Sequence, residues 1–96
     1  MKHIPLRTLP DARLGDIVYQ DVLREVCRRP LDPQKGANIE EMRQSIRCLD
    51  ALDSANGTLE LEDSDYEHLV QKLKGQPWNV VDKRLVTLFD DVMAAV

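Results

Sequence analysis

Apolar residues recur with helical spacing along much of the chain, and the clearest run begins at Ile39. Ile39, Met42, Ile46, Leu49 and Leu52 follow one another at intervals of three or four, so they share one stripe of a 3.6-residue helix. Asn38 stands just before the run and Glu41 three residues after it, a capping-box arrangement with Asn in the Ser/Thr position. This pattern predicts a helix over 39–54 with the stripe buried. Ser54-Ala55-Asn56-Gly57 then supplies the residues that end helices and make tight turns. Thr58-Leu59-Glu60-Leu61-Glu62 alternates, leucines to one side and glutamates to the other, as a half-exposed strand does. Ser64 with Glu67 is a second capping box, and it predicts a helix over 64–74 burying Tyr66, Leu69, Val70 and Leu73. Lys72 and Lys74 sit in its favoured last turn, and Gly75 and Pro77 stop it.

The flanks follow the same logic. Ile4, Leu6 and Leu9 alternate with polar residues, but Pro5 lacks an N–H, so residues 1–13 form an extended arm or edge strand. The strand at 58–61 needs a partner, and residues 3–8 are the one stretch suited to pair with it. Leu14, Ile17, Val18, Val22 and Val26, widened by Tyr19, Leu23 and Cys27, predict a helix over 14–29 that ends at Pro30. Pro30, Pro33 and Gly36 punctuate the loop after it. Val81, Leu85, Leu88 and Val92, with Phe89, predict a last helix over 80–94. The expectation is a mainly α fold: a single compact four-helix domain spanning 1–96 with a minimal two-stranded β ribbon. Its core should hold Ile17, Val18, Val22, Val26, Met42, Ile46, Leu49, Leu69, Leu73, Leu85, Leu88 and Val92.

Charge changes this picture in one respect. The net charge is −4, yet residues 1–47 carry nine Lys/Arg against seven Asp/Glu, and residues 48–96 carry four against ten. Seven acids and no base lie between Asp50 and Glu67. Such a run is either a solvated face or a docking surface for a basic partner. Glu60, Glu62, Asp63 and Asp65 are therefore candidate partner-binding residues, together with Trp78, the single tryptophan, which reads as a core-capping aromatic or an interface anchor. Arg24, Arg28, Arg29, Arg43 and Arg47 raise a second reading, a small nucleic-acid-binding regulator. The interleaved acids Asp21, Glu25, Glu40 and Glu41 and the acidic whole weigh against it.

Catalytic and metal chemistry finds little to stand on. His3, His68, Cys27 and Cys48 have no CxxC or i, i+4 spacing, so no metal or cofactor is expected, the cysteines read as buried reduced thiols, and His68 reads as a surface imidazole. Asn56-Gly57 invites a calcium loop, but setting Gly57 at the sixth position puts Leu52 where the first carboxylate must be. The expectation is a non-enzyme. No segment approaches the ~20 apolar residues of a membrane span, and residues 1–10 show no secretory pattern, which points to a cytoplasmic protein without a membrane partner.

The run Asn38-Ile39-Glu40-Glu41-Met42-Arg43, continued by Ser45-Ile46-Arg47-Cys48-Leu49-Asp50-Ala51-Leu52 and by Leu59-Glu60-Leu61-Glu62-Asp63-Ser64-Asp65, resembles small proteins encoded among the virion-assembly genes of tailed bacteriophages and prophages. The resemblance covers residues 36–94. It implies a role in virion assembly through protein–protein docking, as a head–tail joining piece or tail-assembly accessory. It also implies phage structural or assembly proteins as partners, a homo-oligomer, and a place in the host cytoplasm or the virion.

Overall fold

A computed structural model describes residues 1–78 and 80–96. The chain runs β1 (Lys2–Pro5), β2 (Thr8–Leu9), β3 (Ile17–Val18), α1 (Tyr19–Arg28), α2 (Ile39–Ser54), β4 (Thr58–Leu61), α3 (Asp63–Gly75) and α4 (Lys83–Met93). It is mainly α with a small β ribbon. β1 pairs antiparallel with β4, with Ile4 opposite Leu59 and Lys2 opposite Leu61, so the expected ribbon forms. Pro5 sits at its end opposite Thr58, where a missing donor costs least. Ile4, Leu59 and Leu61 turn inward onto Tyr19, Leu23, Leu52, Leu69, Leu88 and Val92, which form the centre of the core.

The first helix starts later than its apolar pattern suggests. The Asp11 carboxylate accepts from the backbone N–H groups of Arg13 and Leu14, and Gly15 has φ +80, a conformation that breaks a helix at once. The β-branched Ile17 and Val18 then pair with Leu9 and Thr8 as a second two-stranded ribbon. Leu14 is left exposed, Ile17 and Val22 are half-buried against the core instead of inside it, and Val18 is half-buried in the ribbon. Arg84 holds this ribbon to the start of α4, donating to the carbonyls of Leu9 and Gly15 at 2.9 and 2.7 Å while pairing with Asp82 at 2.8 Å.

Helix α2 begins where expected, with Asn38 Oδ1 accepting from Glu41 N at 2.8 Å. Glu41 does not reach back to the cap; its carboxylate accepts from Leu31 N and ties down the loop after α1. The larger departure is rotational. Ser45, Cys48 and Leu52 face inward, while Ile39, Met42 and Ile46 face solvent, exposed by 60, 45 and 48%. Met42 and Ile46 are therefore not core residues, and Leu49 is only half-buried.

α3 starts one residue before the expected cap, so Ser64 lies inside its first turn and makes no capping bond. Leu69 and Leu73 are buried as expected, and Tyr66 and Val70 are half-buried. α4 is shorter than its apolar repeat: Asp82 caps it by accepting from Arg84 N, Val81 is fully exposed ahead of it, and Leu85 is half-buried. Leu88 and Val92 are core residues as expected, and so are Val26, Leu69 and Leu73.

Candidate docking site

Two constellations stand out from the framework, one inside it and one on its surface. The internal one is polar. Asp65, His68 and Lys72 lie at i, i+3 and i+7 on the face of α3 turned inward, and all three are buried. Lys72, only 2% exposed, donates from Nζ to the carbonyls of Cys27 and Arg29 at 2.9 and 2.7 Å and to Ser45 Oγ at 2.6 Å. The two carbonyls belong to the end of α1, where a cation meets both unpaired acceptors and the negative end of the helix dipole. Ser45 Oγ accepts from Lys72 and lies within hydrogen-bond distance of His68 Nε2, at 3.2 Å. Burial, then the neighbouring ammonium, holds the His68 pKa below its ordinary value, and burial likewise lowers that of Lys72.

This network explains the rotation of α2. Turning the stripe inward would recover about 1 kcal/mol of apolar burial for each of Ile39, Met42 and Ile46. It would also take Ser45 from the Lys72 ammonium, leaving one of its three N–H donors unpaired at about 1–3 kcal/mol, and carry Cys48 and Leu52 away from the core. His68 is thus an internal residue, not the surface imidazole its acidic neighbours suggested. Cys27 and Cys48 are buried free thiols; the Cys48 thiol donates to the Asp65 carbonyl at 3.7 Å, and the neighbouring Cys27 side chain, then burial, pushes the Cys48 pKa up. Ser45, His68 and Lys72 satisfy one another and hold α1, α2 and α3 together. The sequence signal for His68 and Lys72 was their i, i+3, i+7 spacing with Asp65, hidden among the apolar positions of α3; Ser45, on α2, had none.

The surface constellation surrounds Trp78. Gln76 is buried and accepts from Arg29, and Asp82 is pinned by Arg84, so the chain between α3 and α4 is fixed at both ends. Trp78, Val80 and Val81 lie between those pins and are exposed, and with Leu85, Val86 and Phe89 they line an apolar groove of about 610 Å³ floored by Leu73 and Leu88. A groove of this size and lining fits an apolar side-chain cluster or a helix face. No helix among the described residues is long and apolar enough to cross a membrane.

The expected partner-binding residues do not form one surface. Trp78 is in the groove beyond the C-terminal end of α3. Glu60, Glu62 and Asp63 are exposed at its other end, roughly 20 Å away by the rise of the helix. Glu60 lies 3.5 Å from His3. Asp65 is not available to a partner: it is buried and accepts from Arg47 Nε at 3.1 Å. The arginines are similarly engaged, Arg24 with Asp21 and Asp53, Arg28 with Glu25, Arg43 with Glu40 and Arg29 with Gln76. Comparisons with protein-family profiles, with curated proteins and with solved structures return no match.

Proposed function

We propose that this chain is a non-enzymatic docking protein of tailed-phage or prophage origin that acts in virion assembly by seating a structural subunit in the Trp78 groove. The observation that carries the docking reading is the groove itself: Trp78, Val80, Val81 and Val86 present contiguous apolar surface that the core does not cover. The phage setting rests on the resemblance over residues 36–94. A nucleic-acid regulator has less support, because Arg24, Arg28, Arg43 and Arg47 each face a carboxylate of the same chain.

Trp78 is the sole tryptophan, so its fluorescence reports directly on the groove. Titration with purified virion structural proteins encoded beside this chain should shift its emission to the blue on binding. Val86→Asp, at an exposed position, should abolish the shift without altering the thermal melt. Absence of binding to every such protein, or binding unchanged by Val86→Asp, would refute the proposal.

A further inference from the structure

The rotation of α2 leaves the molecule with a second apolar feature, and it is complementary to the first. Ile39, Met42 and Ile46 form an exposed ridge at i, i+3 and i+7, the anchor spacing with which a helix enters an apolar groove. The groove beside α4 is an acceptor for such a helix. Within one molecule α2 and α4 are not packed on each other, and each packs against α3.

Charge selects the occupant. Along one border of the α2 ridge stand Arg43 and Asp50, seven residues apart; along the exposed border of α4 stand Lys83 and Asp90, also seven apart. Seven residues of helix span about 10.5 Å on either element. Laid antiparallel, α2 of one copy and α4 of another set Arg43 against Asp90 and Asp50 against Lys83. Asp50, Lys83 and Asp90 are exposed and make no ion pair among the described residues, and Arg43 reaches only Glu40, at 3.8 Å. In the same register Ile46 falls beside Val86, and Ile39 beside the exposed Met93.

We infer that the α2 ridge docks along α4 of a second copy of this chain, antiparallel to it, with Ile46 entering the Trp78 groove beside Val86 and Ile39 reaching Met93, in a head-to-tail contact. The inference rests on the docking reading above and names a partner for the same groove. A contact between two different patches leaves a free ridge at one end and a free groove at the other, so it propagates into a closed ring or a filament.

The test uses two full-length variants with opposite defects. Ile46→Asp breaks the ridge and keeps the groove; Val86→Asp breaks the groove and keeps the ridge. Both positions are exposed, and circular dichroism melts verify the fold. Light scattering on a sizing column should show concentration-dependent assembly of the wild type. Each variant alone should be monomeric, and their equimolar mixture should give a species of twice the chain mass and no larger. Arg43→Asp should weaken wild-type assembly about tenfold, and adding Asp90→Arg should restore it.

A wild-type chain that stays monomeric to millimolar concentration overturns the inference. So does either variant that still self-associates alone, the result that two-fold symmetric pairing through a single patch predicts, and so does a mixture of the two variants that stays monomeric. A monomer whose Trp78 emission still responds to a virion subunit would remove this inference alone and leave the docking reading standing.

Discussion

Replacing Lys72 by Met tests whether the buried ammonium holds the helices together or is merely tolerated. Methionine keeps the length and apolar character of the stem and removes only the charged donor. Three bonds disappear, to Cys27 O, Arg29 O and Ser45 Oγ. Their consequences differ. The Cys27 carbonyl is left buried without its side-chain donor, the Arg29 carbonyl is only partly buried and can recover water, and Ser45 keeps His68. An unsatisfied buried acceptor costs about 1–3 kcal/mol, and losing the cation at the end of α1 adds up to about 1–2. Against this, the folded state no longer desolvates an ammonium, which offsets part of the loss. The net expectation is about 2–4 kcal/mol of destabilisation, a large share of the roughly 5–14 kcal/mol available to a domain of this size. Urea unfolding followed at 222 nm should show a lower midpoint at unchanged slope. Lys74→Met, two residues along and exposed, should stay within about 0.5 kcal/mol of wild type. Should Lys72→Met match or exceed the wild-type stability, the ammonium would be a cost that packing can replace, and the explanation given for the rotation of α2 would fail.

His68 makes the fold acid-sensitive. Its folded pKa lies below the unfolded value of 6.5, so on acidification the unfolded chain takes up the proton first. The stability it contributes is complete above pH 6.5 and is lost as pH falls toward the folded pKa; comparing urea midpoints of wild type and His68→Gln from pH 7.5 to 5 should show a flatter profile in the variant. Tyr19 acts at the other end of the scale. Burial, with its hydroxyl donating to Asp91 at 2.6 Å, raises its pKa to about 12, so its contribution is present below pH 10 and falls as pH climbs through 12. Absorbance at 295 nm should show that delayed ionisation, and Tyr19→Phe should remove the share of Tyr19 and leave that of Tyr66, which burial also raises. The rotated register of α2 predicts that Ile46→Ala costs less than about 1 kcal/mol while Leu52→Ala costs about 2–5, measured by the same urea unfolding. Asn38→Ala should cost about 1 kcal/mol by loss of its bond to Glu41 N, a loss that Asn38→Asp should not share.

Local chemistry sufficed for much of the architecture. The Asn38 cap, the Asn-Gly turn with Gly57 at φ +82, the alternation at Thr58–Leu61 and the stop at Gly75-Pro77 act through near neighbours. They placed α2, β4 and the end of α3 within a residue or so. The pairing of β1 with β4 was also legible, because one strand required a partner and one stretch could provide it. Gly15 was the local signal passed over at the start of α1: an apolar repeat through Leu14 and Ile17 reads as helix unless the glycine between them is given weight.

Tertiary structure alone decided which side of α2 faces inward. Apolar spacing puts Ile39, Met42 and Ile46 inside, but Lys72 meets Cys27, Arg29 and Ser45 across sequence separations of 45, 43 and 27 residues. No local pattern records such a meeting. Keeping Ser45 on the buried ammonium, and Cys48 and Leu52 in the core, outweighs the burial of a methyl-rich stripe, so the stripe is turned to solvent. The acidic run between Asp50 and Glu67 divides for a related reason. Asp65 folds under to meet Arg47 while Glu60, Glu62 and Asp63 stay exposed, because the inward face of α3 is polar where it meets α2. The sequence by itself determined where α2 and α3 begin and end; long-range polar partners determined how they are turned, and thereby which apolar residues remain for docking.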